Sequence, residues 1–150
     1  MQIIDYFACE NQPHWRAAIA DNEWRAAKHL ARKLESGEFH QEVGRGTLYL
    51  LTEGDNLVSF LTLAERDCVD VFYTPWIGFV HTAPSYRGHR HIGKLIEYAC
   101  AVAREQGVQR VYLCTDYVGL YEKLGFTYLE NWMSIYGEDS RIYVRAVDRE

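Results

Sequence analysis

The segment from Tyr86 to Ile96, YRGHRHIGKLI, carries residue types that bind anions. It contains two glycines and three cationic side chains, namely Gly88 and Gly93, and Arg87, Arg90 and Lys94. Apolar spacing from Ile92 onward predicts that a helix begins here. The first N–H groups of a helix lack partners within it, and glycine lets an anion approach the backbone closely. The segment therefore predicts a diphosphate site, with a solvated basic helix start as the alternative.

Two kinds of phosphate-binding loop compete for this segment. Gly88, Gly93 and Lys94 match all but the last position of the loop G-x-x-x-x-G-K-[ST], which binds nucleotide triphosphates. The last position is Leu95, which has no hydroxyl for Mg²⁺. A nucleotide-binding protein remains the second hypothesis, with residues 111–116 as its metal-holding strand.

The other kind is the cofactor loop of the GNAT N-acetyltransferase superfamily, Arg/Gln-x-x-Gly-x-Gly/Ala. The approach from Val80 through Pro84 to Arg87-Gly88 is similar to it. The two motif glycines of the family fall on Arg90 and Ile92 of this sequence. The segment thus resembles an Arg-Gly-x-Arg variant of the loop, in which Arg90 supplies charge.

A second segment extends the resemblance. Residues 120–126, LYEKLGF, resemble the superfamily signature Tyr-Glu-Lys-x-Gly-Phe, and two motifs in the right order are far more specific than one. The resemblance covers Trp76 to Phe126. It implies an acetyl-CoA-dependent N-acetyltransferase in which Tyr121 donates a proton to the departing thiolate of CoA.

The resemblance also implies which residues hold the cofactor. Backbone groups around Val80, His81 and Thr82 should meet the pantetheine arm and the thioester carbonyl. The diphosphate should lie along the following loop, formed by Arg87, Gly88, His89, Arg90, His91, Ile92, Gly93 and Lys94. The asparagine that the family usually carries on its fifth strand has no counterpart here, because a gapless count from Tyr121 reaches Cys114.

The sequence does not identify a general base. The usual positions in the family fall on residues 76–78, which carry no acidic or histidine side chain. His81, Glu65 and a bound water are the candidates, and a catalytically silent acyl-CoA-binding module is a further alternative. The expected acceptor is an amine of a small molecule or peptide. Four aromatic residues are candidates to line its pocket, with core packing as the alternative: Trp15, Trp24, Tyr73 and Trp76.

Bulk properties exclude several other classes of function. With 150 residues and a net charge of −5, the chain lacks the broad positive field of proteins that bind nucleic acid. No segment is long and uncharged enough for a membrane span, and no basic region precedes an apolar run at the N-terminus, so we expect a cytoplasmic protein. The four cysteines show no metal-ligand spacing, so we expect reduced thiols and no metal. A homodimer is one possible assembly.

Hydrophobic periodicity predicts the element order β-αα-βββ-α-β-α-ββ within a single domain over residues 1–150. The resemblance implies that this is an N-acetyltransferase domain of the α/β class, with a mixed sheet and parallel, splayed fourth and fifth strands. The clearest helix is predicted from Ile92 to Gln106, and a shorter one from Tyr117 to Leu124. The predicted strands cover residues 2–7, 47–52, 57–63, 76–82, 111–114, 126–132 and 141–147.

Overall fold

One mixed sheet of seven strands runs through the molecule, and the computed structural model describes residues 1–148. The strands are β1 Gln2–Asp5, β2 Gly46–Glu53, β3 Asn56–Ala64, β4 Trp76–Thr82, β5 Arg110–Thr115, β6 Thr127–Met133 and β7 Asp139–Ala146. The helices are α1 Gln12–Ala20, α2 Arg25–Ser36, α3 Phe39–Val43 and α4 His91–Glu105. None of these helices is long and apolar enough to cross a membrane.

The strand order is β1-β2-β3-β4-β5-β7-β6, and every neighbouring pair is antiparallel except β4 and β5. Helix α4 connects these two parallel strands, as a parallel pair requires. The predicted fold class and the predicted parallel pair are therefore confirmed.

Strands β4 and β5 separate soon after they meet. Only Trp76 with Tyr112 and Ile77 with Leu113 are paired, although β4 continues to Thr82. We call the gap beyond these two pairs the fork. A β-bulge helps to open it, since Gly78 and His81 pair with Thr62 and Phe60, leaving one extra residue on β4. Phe79 in the bulge has a left-handed φ of 48°.

The two faces of the sheet have different covers. Ile77 and Leu113 belong to one buried cluster with Leu95 and Ile96 of α4. Helices α1 and α2 pack on the other face, against residues such as Leu50 and Phe60. Because side-chain positions alternate along a strand, the Cβ position of Gly78 on β4 and the side chain of Cys114 on β5 point away from α4. Each side of the fork is thus approached from a different layer of the fold.

Most predicted elements are confirmed within one or two residues, and β4 matches its predicted bounds. The helix predicted from Tyr117 to Leu124 is wrong, because that segment holds only a single 3-10 turn at Glu122–Leu124. Gly119 has a φ of 96°, and this left-handed backbone interrupts a helix within the predicted range. Helix α3 was not predicted, because its five residues are too few for a periodic pattern.

Candidate active site

Helix α4 begins with an uncapped N-terminus that faces the loop leaving β4. Arg90 is the residue before the helix, with a left-handed φ of 61°, and no side chain caps this end. The first N–H groups of α4, those of His91, Ile92 and Gly93, therefore lack intrahelical partners. Nδ1 of His91 is also buried without a hydrogen-bond partner among the described residues. Unpartnered N–H groups at a helix start are suited to bind an anion.

The cationic side chains beside this helix start are exposed. Arg87, Arg90 and Lys94 form no ion pair with a carboxylate in residues 1–148. Nε of Arg87 donates to the carbonyl of Thr82 at 3.1 Å, which folds this side chain back toward the end of β4. Gly88 has a φ of 84° and no atom within 4 Å of the position of a Cβ, so the space beside it is open. Cationic side chains, unpartnered N–H donors and open space therefore lie together at the start of α4.

The two sequence motifs are adjacent in the structure. A Cβ at Gly93 would lie 3.4 Å from Cδ2 of Leu124, so the start of α4 packs on the segment 121–126. Arg145 of β7 also links α4 to this segment. It donates hydrogen bonds to Glu97 of α4 at 2.7 and 3.0 Å and to the carbonyl of Leu124 at 3.0 Å. The ion pair holds the pKa of Glu97 below its usual value. These contacts connect the segment 121–126 to α4.

The ring of Tyr121 is buried on the α4 face of the sheet. Only 5% of the residue is exposed, and its ring meets Phe126 edge to face with the centroids 6.1 Å apart. The hydroxyl makes no side-chain hydrogen bond within the described residues. Burial raises the pKa of Tyr121 to about 12, so the hydroxyl is protonated at neutral pH. It can act as a donor of a proton or a hydrogen bond.

The candidate bases occupy different ends of β4. His81 stacks on Trp24 with the ring centroids 5.3 Å apart. Burial lowers the pKa of His81, and the positive charge of Arg87 lowers it further, so the neutral imidazole is favoured. Glu65 follows Ala64, which pairs with Trp76 at the other end of β4. Its carboxylate accepts the N–H of Arg45 at 3.1 Å. The structure therefore disfavours Glu65 as a base at the fork.

Two concave regions bear on these assignments. An open groove of about 850 Å³ is lined by Glu65, Thr47 and Gln109, at the end of the sheet opposite the α4 N-terminus. Neither Tyr121 nor any residue of the predicted cofactor loop lines it. A cavity of about 50 Å³ lies beside His81, between the end of β4 and α1. The residues that the motifs predict for the chemistry therefore lie away from the larger groove.

The aromatic residues suggested for the acceptor pocket divide into two groups. Trp15 and Trp76 are buried in the core. Trp24 is 38% exposed beside His81, and Tyr73 stacks on Tyr112 with centroids 4.7 Å apart. Only Trp24 and Tyr73 thus remain as pocket candidates.

A cluster at the base of the fork was not found by sequence reasoning. Asp67, Cys68 and Cys114 place their donor atoms within 4.8 Å of one another, and the two sulfurs are 3.8 Å apart. Cys68 and Cys114 are 46 residues apart in the chain, so no local spacing reveals them. These three donors fall short of the four of a structural zinc site, and the expectation of no metal stays a prediction.

Comparison with known proteins identifies the family. The model of the Acetyltransferase (GNAT) family matches residues 9–126. The chain belongs to this family. A search of curated proteins found no match.

Solved structures agree with this membership at the level of the fold. A putative GNAT acetyltransferase from Desulfovibrio desulfuricans has a TM-score of 0.71 and 16% identity, over 97% of this chain and 98% of that chain. An acetyltransferase from Streptococcus agalactiae has a TM-score of 0.68 and 24% identity, over 97% of each chain. An aminoglycoside 6'-N-acetyltransferase complexed with coenzyme A has a TM-score of 0.70 and 11% identity, over 100% of this chain and 99% of that chain.

Proposed function

We propose that this GNAT protein is an acetyl-CoA-dependent N-acetyltransferase that acts on an amine by direct attack in a ternary complex. The observation that carries the proposal is the uncapped start of α4, which lies beside the fork and next to the motif that contains Tyr121. The fold neighbour complexed with coenzyme A supports the choice of cofactor.

The diphosphate of acetyl-CoA fits the start of α4. The N–H groups of residues 91–93 and the positive end of the helix dipole would bind the phosphate oxygens. The open space beside Gly88 leaves room for the anion, and Arg87, Arg90 and Lys94 would add charge. Diphosphate binding would also use helix N–H groups that have no intrahelical partner.

The thioester fits the fork. Beyond Ile77 the β5-facing backbone groups of β4 have no partner strand, so those around Val80, His81 and Thr82 are available to the pantetheine arm and the thioester carbonyl. Hydrogen bonds to that carbonyl would stabilise the negative charge that develops on its oxygen. This role requires backbone geometry and no particular side chain.

Tyr121 would assist the leaving group. Its hydroxyl remains protonated through the neutral range, because burial raises the pKa to about 12. A thiol has a pKa of about 8.5, so complete transfer from tyrosine to thiolate is uphill in water. The hydroxyl would therefore act mainly by a hydrogen bond to the charge that develops on sulfur in the transition state.

A comparison of ligands tests the cofactor assignment. Acetyl-CoA should raise the melting temperature of the protein, whereas Mg-ATP at the same concentration should leave it unchanged. The opposite result would support the nucleotide-binding hypothesis, which the largely antiparallel sheet disfavours. Binding of acetyl-CoA without turnover of any amine would identify a silent acyl-CoA-binding module.

A further inference from the structure

Asp67 occupies the space of a missing side chain on β4. Its Oδ1 lies 2.6 Å from the position that a Cβ would take at Gly78, and Oγ1 of Thr62 lies 3.1 Å from the same position. Gly78 is the first residue of β4 beyond the last pair with β5, and Cys114 is the first such residue of β5. The carboxylate therefore lies at the base of the fork, although it comes from the loop between β3 and β4.

This carboxylate is on the opposite side of the sheet from Tyr121. Tyr121 belongs to the buried cluster that contains Ile77 and the apolar face of α4. Gly78 follows Ile77 and points away from α4, so Asp67 lies toward the other face. A thioester in the fork would thus have a proton donor on one side and a carboxylate on the other.

Asp67 is suited to receive a cation and its proton. Part of the surface of Asp67 is exposed, but its carboxyl group lies deep in the fold, and no other residue in the described chain forms an ion pair with it. Burial raises the pKa of Asp67, the neighbouring Cys68 opposes this effect, and Glu42 of α3 adds to it. The thiol of Cys114 on β5 and the phenol of Tyr136 after β6 also face Asp67. A raised carboxyl pKa makes a stronger base.

We propose that Asp67 binds the ammonium form of the acceptor amine and takes its proton before attack. The inference rests on the proposed acetyltransferase function. It supplies the general base that the sequence left unassigned.

The protons of the reaction balance as follows. The ammonium gives one proton to Asp67, which later releases it to solvent. The neutral nitrogen then bonds to the carbonyl carbon, and the carbon–sulfur bond breaks. Sulfur takes the proton of Tyr121, and the second proton that nitrogen loses returns to Tyr121 through water. The products are the acetylated amine, CoA thiol and one proton.

The test is the dependence of kcat/KM on pH between about 7 and 9, for the parent, Asp67→Asn and Asp67→Glu. A panel of kanamycin, spermidine and lysine methyl ester provides the acceptor, and the amine that the parent uses fastest is taken. Asp70→Asn is the matched control, because Asp70 is an exposed aspartate in the same loop. Melting temperature and acetyl-CoA affinity are measured for every variant.

The expected result has two parts. In the parent, kcat/KM stays nearly flat over the part of this range in which Asp67 is ionised, because Asp67 accepts the proton and the amine binds as ammonium. In Asp67→Asn, kcat/KM falls about 10²-fold at pH 7 and recovers about tenfold per pH unit, because the amine must arrive neutral. Asp67→Glu should keep the flat profile at a lower rate, and Asp70→Asn should match the parent.

Other outcomes overturn the inference in distinguishable ways. If the parent acetylates an amine and Asp67→Asn keeps its rate, or loses the same factor at every pH, Asp67 is at most a structural residue. If Asp67→Asn does not fold, a steep profile in Asp67→Glu overturns the inference equally. If the parent acetylates none of the amines, the proposed function and the inference both fail.

Discussion

Replacing Tyr121 with phenylalanine removes one hydroxyl and keeps the ring that packs against Phe126. The hydroxyl has no side-chain hydrogen bond among the described residues, so its loss leaves no partner unsatisfied. We therefore expect stability to change by no more than about 0.5 kcal/mol. Acetyl-CoA affinity should also stay nearly constant, because the proposed contact forms only as charge develops on sulfur.

The effect on turnover should be much larger. Loss of a proton donor to the leaving group lowers kcat by about 10²-fold, which corresponds to about 3 kcal/mol of transition-state stabilisation. The assay follows the CoA thiol released with a verified acceptor, together with melting temperature and acetyl-CoA affinity for both proteins. If kcat of Tyr121→Phe stays within about twofold of the parent, Tyr121 is a packing residue and solvent protonates the thiolate.

Three further predictions concern the same site. Gly88→Val and Gly54→Val should lose similar stability, because both glycines have positive φ and open surroundings. Only Gly88→Val should weaken acetyl-CoA binding in a titration, and equal dissociation constants for the two variants would contradict the loop assignment. Arg90→Asn should keep the stability of the parent, since asparagine tolerates the left-handed φ of 61°. It should weaken the binding of acetyl-CoA about threefold at low salt and less at high salt, and a salt-independent difference in affinity would exclude a charge effect. The pKa of Tyr121 in the folded protein is raised to about 12, so its contribution to stability is complete below about pH 10 and is lost as pH rises toward 12. Denaturant titrations should show that the parent loses more stability than Tyr121→Phe in this window, and equal losses would contradict the raised pKa.

The parts of the site that follow from local sequence were predictable. The loop after β4 and the segment 121–126 are each contiguous, so their glycines and charges appear as motifs. The helix start predicted at Ile92 lies one residue from the observed start at His91. Adjacency of the two motifs then follows from the crossover that a parallel pair of strands requires.

The acidic side of the fork was not predictable, because it depends on contacts between distant residues. Asp67 meets Gly78 across the loop between β3 and β4, and the missing Cβ that leaves room for the carboxylate has no distinctive sequence pattern. Glu65 was a plausible base by type, but pairing of Ala64 with Trp76 sets it at the wrong end of the strand. The contact of Asp67 with Gly78, which only the folded loop creates, distinguishes these two carboxylates.

The proposed activity is the transfer of an acetyl group from acetyl-CoA to an amine. Mass spectrometry of a reaction that contains the protein, acetyl-CoA and the amine panel measures this directly. We predict an acetylated amine that forms in a one-to-one ratio with CoA thiol and is absent when either the protein or the amine is omitted. Binding of acetyl-CoA without an acetylated product, or release of CoA that does not depend on the amine, would contradict the account.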